Sequence, residues 1–232
     1  MPTASMVHRR PQFLSPLIIQ SATSAWANNN FSVTLGSAPK VGNLLVAIYG
    51  GLNGTTSNTV NPPGSLTQIN SMTQYNSSSA NSVQLAFATR TVQSGDGTTW
   101  PFTIASSSGG IGAFIIEVAS AGTVTNNMSV WDVNPNPEGG GVPNVSIAST
   151  PRSLMFGSLV QFTAMNGENG WGYAGSSGWS SFLTNGSGSY YAGMAVAQNT
   201  GTGGTINSKV TNTPVNSSNW NSVTLIINIA VV

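Results

Sequence analysis

Nowhere does this chain hold the apolar repeat of an ordinary helix; short β-rich runs recur instead, cut apart by Asn, Gly, Ser and Pro. That punctuation restricts it to strands joined by tight turns, the pattern of a β-sandwich. Phe31-Ser-Val-Thr-Leu35 alternates apolar and polar side chains, as a strand with one buried face does. Leu44-Leu-Val-Ala-Ile-Tyr49 is apolar at every position, so both of its faces need cover. Further strands are expected near residues 66–72, 83–92, 100–105, 113–119, 142–148, 154–162, 180–183, 190–198, 205–210 and 223–232. Asn-Gly steps at Asn53-Gly54, Asn166-Gly167, Asn169-Gly170 and Asn185-Gly186 supply the positive φ that tight turns need. Strands in this number fill two antiparallel sheets of about six.

The runs echo themselves. Val33-Thr-Leu-Gly-Ser-Ala-Pro-Lys40 matches Val145-Ser-Ile-Ala-Ser-Thr-Pro-Arg152, and each leads into a strongly apolar strand. Gln93-Ser-Gly-Asp-Gly-Thr98 has a looser counterpart in Asn199-Thr-Gly-Thr-Gly-Gly204. Each half closes on an apolar strand, around Ile115-Ile116 and Leu225-Ile226-Ile227. A duplicated half-sandwich burying one common core explains the echo; convergent turn chemistry explains it equally well. Either way residues 26–232 read as one domain, with 122–141 joining the halves.

Charge is scarce: six Lys/Arg and five Asp/Glu stand among 232 residues, with one His and no Cys. An average soluble domain is about a quarter charged. A surface of amides and hydroxyls suits packing against copies of itself or other proteins. It suits acid–base or metal catalysis poorly, because those chemistries need ionisable groups. A net charge of +1 offers nucleic acid no basic footprint. No apolar run nears the about 18 residues of a membrane span. With no cysteine, there is no disulfide framework, and assembly in a reducing cytoplasm is expected.

The N-terminus has the outline of a secretory leader: His8, Arg9 and Arg10 precede Phe13-Leu-Ser-Pro-Leu-Ile-Ile19, and Ala25-Trp-Ala27 imitates a cleavage site. Pro11, Gln12, Ser15, Pro16 and Gln20 break the apolar stretch, however. The expectation is therefore an extended arm over residues 1–25, with Arg9, Arg10, Phe13, Leu14, Leu17 and Ile18 meeting a neighbouring subunit.

Several constellations bear on chemistry. His8 has no Gly-x-Ser-x-Gly elbow to serve, so no triad is expected. Asp96, Glu117, Asp132, Glu138 and Glu168 include no two close enough in sequence to argue for a shared hydrolytic site. Asp96 is expected to bond nearby backbone amides in its turn, and Glu117 to be a paired structural acid. Asp132, Asn134, Asn136 and Glu138 place four hard oxygen donors in seven residues, a candidate calcium loop. Trp171, Tyr173 and Trp179 sit in a Gly/Asn/Ser-rich loop, and such rings can cover sugar C–H faces while amides take hydroxyls. The alternative is packing, with Trp179 starting a strand and Trp171 and Tyr173 beneath the loop or at a subunit contact.

Five motifs in order carry a family resemblance: Gly42-Asn-Leu-Leu-Val46, Ala88-Thr-Arg-Thr-Val92, Gly95-Asp-Gly-Thr-Thr99, Ile115-Ile-Glu-Val118 and a last strand introduced by Trp220. This order resembles a β-sandwich module of phage virion proteins and bacterial surface proteins. A Gly-Trp usual in its first half is replaced here by Gly64-Ser65-Leu66. The resemblance implies a jelly-roll-like all-β fold and an exposed display or binding role, without catalytic residues or cofactor. The expected function is a non-enzymatic virion structural protein, as capsid decoration or part of a tail fibre or tail tip. Its expected partners are other virion proteins and copies of itself. The alternative is a carbohydrate-binding, adhesive module that takes a host-surface glycan.

Overall fold

The computed structural model describes residues 18–25, 27, 29–53, 60–76, 81–104, 110–119, 122–133, 145–151, 153–162, 179–187, 192–201, 203–208 and 220–230. They contain fifteen strands and no helix. The first eight are β1 (Ile18–Thr23), β2 (Phe31–Thr34), β3 (Leu44–Asn53), β4 (Val60–Asn61), β5 (Thr67–Asn76), β6 (Asn81–Thr91), β7 (Thr99–Ile104) and β8 (Ile111–Val118). The rest are β9 (Thr123–Val133), β10 (Val145–Ser149), β11 (Leu154–Phe162), β12 (Ser180–Ser187), β13 (Ala192–Thr200), β14 (Gly204–Ser208) and β15 (Trp220–Ala230). All twelve expected strands are present. Three were not expected: β1, the two-residue β4, and β9, which runs through the supposed connection at 122–141.

The all-β antiparallel fold is as expected, but the layering is richer than two sheets of six. Two five-stranded sheets, in the orders β1-β8-β3-β6-β5 and β12-β13-β11-β15-β9, lie back to back. Leu44, Val46, Ile48, Phe87, Phe114 and Ile116 of the first face Leu154, Phe156, Val196, Leu225 and Ile227 of the second in one buried core. Smaller sheets, β2-β7-β4 and β10-β14, cover the outer faces. The sequence pattern requires this. In β3 the alternate residues Leu45, Ala47 and Tyr49 point away from the central core and need their own cover, which Val33, Trp100 and Phe102 provide. β8 is buried at all eight positions for the same reason. By contrast, β7 and β10 alternate buried and exposed, as outer-layer strands with one wet face should.

The second half repeats the strand order of the first. Replacing β1, β8, β3, β6 and β5 by β9, β15, β11, β13 and β12 converts one large sheet into the other, and β2·β7 becomes β10·β14. The turns agree as well: Asn43 N–H donates to Lys40 O and Val92 N–H to Asn43 O, while Ser153 N–H donates to Thr150 O and Gly201 N–H to Ser153 O. Across the central core β3 meets β11, β5 meets β9, and β8 meets β12.

Close strand approach fixes Gly50, which pairs with Leu85 on one side and Gly112 on the other. A Cβ there would run into the carbonyl of Gln84 and the Cα of Leu85, backbone atoms that cannot swing aside. Gly50→Ala is expected to destabilise by about 1–3 kcal/mol. A denaturant midpoint equal to the unsubstituted chain's would refute that.

Candidate functional site

One transverse row near the end of each large sheet gathers Glu117, Asn199 and Asn228, three of the polar residues that the sheets bury; Ser82, Gln84 and Ser158 are buried elsewhere in them. In the first half the row runs Gln20, Glu117, Leu45, Arg90 across β1, β8, β3 and β6. Glu117 is 1% exposed. Its Oε1 accepts from Lys40 N–H at 2.9 Å and from Asn43 Nδ2 at 2.5 Å; its Oε2 accepts from Gln20 Nε2 at 2.6 Å. Gln20 also reaches Ser37, donating to its carbonyl and accepting from its N–H. One carboxylate thereby ties β1 and the β2–β3 turn to β8. Burial works to raise its pKa, yet the bonds from Gln20, Lys40 and Asn43 together hold it below the ordinary value of 4.5.

Arg90 lies at the other end of the row. Its Nε and Nη2 grip Asp96 at 2.8 and 2.9 Å, and its Nη1 donates to Ser65 O. Asp96 also accepts from Gln93 N–H at 2.8 Å. The guanidinium holds this carboxyl below its usual range, against the pull of desolvation. The expected bond to a turn amide is present, and the larger partner, Arg90, went unforeseen. The pair closes the β6–β7 turn and anchors the segment before β5.

In the second half the corresponding row is Thr125, Asn228, Met155, Asn199. Asn228 takes the place of Glu117 and Asn199 that of Arg90. Both are buried, and Asn228 Nδ2 donates to Ala148 O at 3.4 Å. The second half therefore fills with amides the positions that the first fills with charges. A readable signal for Asn228 existed: Ile226-Ile-Asn-Ile229 repeats Ile115-Ile-Glu-Val118. Gln20 and its bond to Glu117, 97 positions away, had none.

The expected site residues distribute as follows. Ile18 belongs to β1, pairs with Val118 and packs on the central core, so it is not an arm residue. Pairing with β8 continues through Ser24 and Ala27, so residues 18–25, expected in the arm, belong to the sandwich. The cause is the unfilled edge of β8, whose backbone groups need partners. Arg9, Arg10, Phe13, Leu14 and Leu17 lie outside the described residues. Trp179 is half-buried and packs against the outer core of Val145, Ile147, Met155, Ile206 and Ile226, the alternative weighed against a sugar platform. Trp171 and Tyr173 lie outside the described residues. Asp132 falls in β9, paired with Asn221, while Asn134, Asn136 and Glu138 lie outside them. Among the described residues no three His, Cys, Asp or Glu side chains come together.

The arrangement does mechanical work. A buried carboxylate accepting three hydrogen bonds, and another clamped by Arg90, brace turns. No protein-family model, curated protein or solved structure matches this chain.

Proposed function

We propose that the protein is a non-enzymatic structural component of a phage virion, exposed on the particle as capsid decoration or as part of a tail fibre or tail tip. The observation that carries this reading is the nested strand pairing of the first half, β1 with β8, β2 with β7 and β3 with β6, and its repetition in the second. Nested pairing of this kind is how a long antiparallel hairpin rolls into a jelly roll, an architecture used by capsid and lectin modules. Two such rolls back to back make a rigid brick. The motif residues support the same reading: Asn43, Arg90, Asp96 and Glu117 are spent on bracing the fold. Scarce charge lets such bricks pack closely without desolvating unpaired ions.

In this reading residues 1–17, ahead of β1, dock on a neighbouring subunit. Light scattering on the full chain and on a form starting at residue 18 tests it. A multimer whose mass falls on removal of the arm is expected. A monomer in both forms overturns the assembly reading; glycan-array binding that Trp171→Ala abolishes would replace it with the adhesive one.

A further inference from the structure

The two large sheets have four edges: β1, β5, β9 and β12. A bare edge is a template for another strand, and proteins commonly blunt it with bulges, charges or proline. Three of these edges are blunted by irregular register: β1 between Ile18 and Gln20, β5 between Gln68 and Asn70, and β12 between Ser181 and Leu183. β9 is different. It keeps unbroken register with β15 over eleven residues, from Thr123↔Ala230 to Val133↔Trp220. Thr123-Val-Thr-Asn-Asn-Met-Ser-Val-Trp-Asp-Val133 holds no proline or glycine and one charge. Among the described residues no strand pairs with its outer side.

The same flank carries exposed apolar surface. β5 lies across β9, and Asn70 Nδ2 donates to Asn126 Oδ1 at 2.7 Å. The bulge next to Asn70 turns out Ile69, 43% exposed and one of three large hydrophobics exposed among the described residues.

We propose that the β9 edge is where a second copy of this chain pairs, antiparallel and two-fold, joining two five-stranded sheets into one. The proposal rests on the assembly reading above and names one of its contacts. Paired with itself, the strand sets no like charges opposite each other. With the axis at Met128, Thr125 falls opposite Trp131 of the second copy and Asp132 opposite its Val124. The two Asp132 then stand eight positions apart, roughly 27 Å at about 3.4 Å per residue, so no like charges meet. The two-fold also brings the β5 bulges of both copies to the same seam, where Ile69 gains cover.

Hydrogen exchange followed by mass spectrometry on the full chain, at concentrations spanning association, tests this directly. Amides of residues 123–133 are expected to lose protection on dilution as the mass falls, while β3 and β11 keep theirs. Ile69→Lys combined with Thr125→Lys, both at exposed positions, is expected to weaken association roughly tenfold or more with the melting temperature unchanged. An assembly whose β9 protection ignores dilution, and which the double variant leaves intact, overturns this contact and leaves the assembly reading standing. A chain monomeric at every concentration overturns both.

Discussion

Phe156→Ala is expected to lower stability by about 3–5 kcal/mol, the cost of emptying a large, fully enclosed site. For a chain of this size that is a drop of roughly 6–20 °C in melting temperature. Phe156 projects from β11 into the core shared with Phe87, Phe114 and Ile116, so it belongs to both halves at once. Unfolding followed by circular dichroism and tryptophan fluorescence should therefore remain a single transition, shifted as a whole. Two separated transitions would mean that the halves stand independently and that the back-to-back core is weaker than its burial suggests.

Glu117→Ala is expected to cost about 2–4 kcal/mol, because it strands a buried donor at Asn43 and part-buried ones at Lys40 and Gln20. The intact residue also makes stability depend on pH. Its folded pKa is depressed, so its contribution is full above the ordinary value of 4.5 and is lost as the pH falls through the lower folded value. Asp96, depressed chiefly by Arg90, adds a loss of the same sign. Denaturant midpoints measured from neutral pH into the acid range should fall steeply. Glu117→Gln should start lower and decline less. A variant as acid-sensitive as the parent would exclude Glu117 as the titrating group. Both carboxylates lie in the first half, and the matching row of the second holds Asn228 and Asn199, so acid should loosen β1 and β8 before β9 and β15. Exchange rates of the two sheets would reveal the order.

Much of this architecture was legible. Leu44–Tyr49 announced a strand covered on both sides, and β3 lies between two cores. What the pattern did not convey was the consequence of having several such strands: apolar faces on both sides of β3 and β8 demand outer layers as well as a partner sheet. β9 was missed because Asn126, Asn127 and Ser129 interrupt its apolar positions, and an edge strand with one neighbour tolerates that interruption. β1 was missed because Gln20, Ser21 and Thr23 break its hydrophobicity. Gln20 is polar because it serves a carboxylate that only folding brings near. Glu117 was legible as a structural acid, but its partners are amides contributed from two other elements. A pairing between residues so far apart leaves no local trace.

A brick with two interchangeable flanks would have no reason to stop joining: each copy added at one side would offer a fresh flank at the other, and the product would be a filament. The repeated strand order of this chain comes close to that hazard, since β1 on one flank occupies the topological place of β9 on the opposite one. The irregularity between Ile18 and Gln20 spoils the match. With an irregular strand on one flank and an unbroken one on the other, pairing along the proposed seam would stop at two copies.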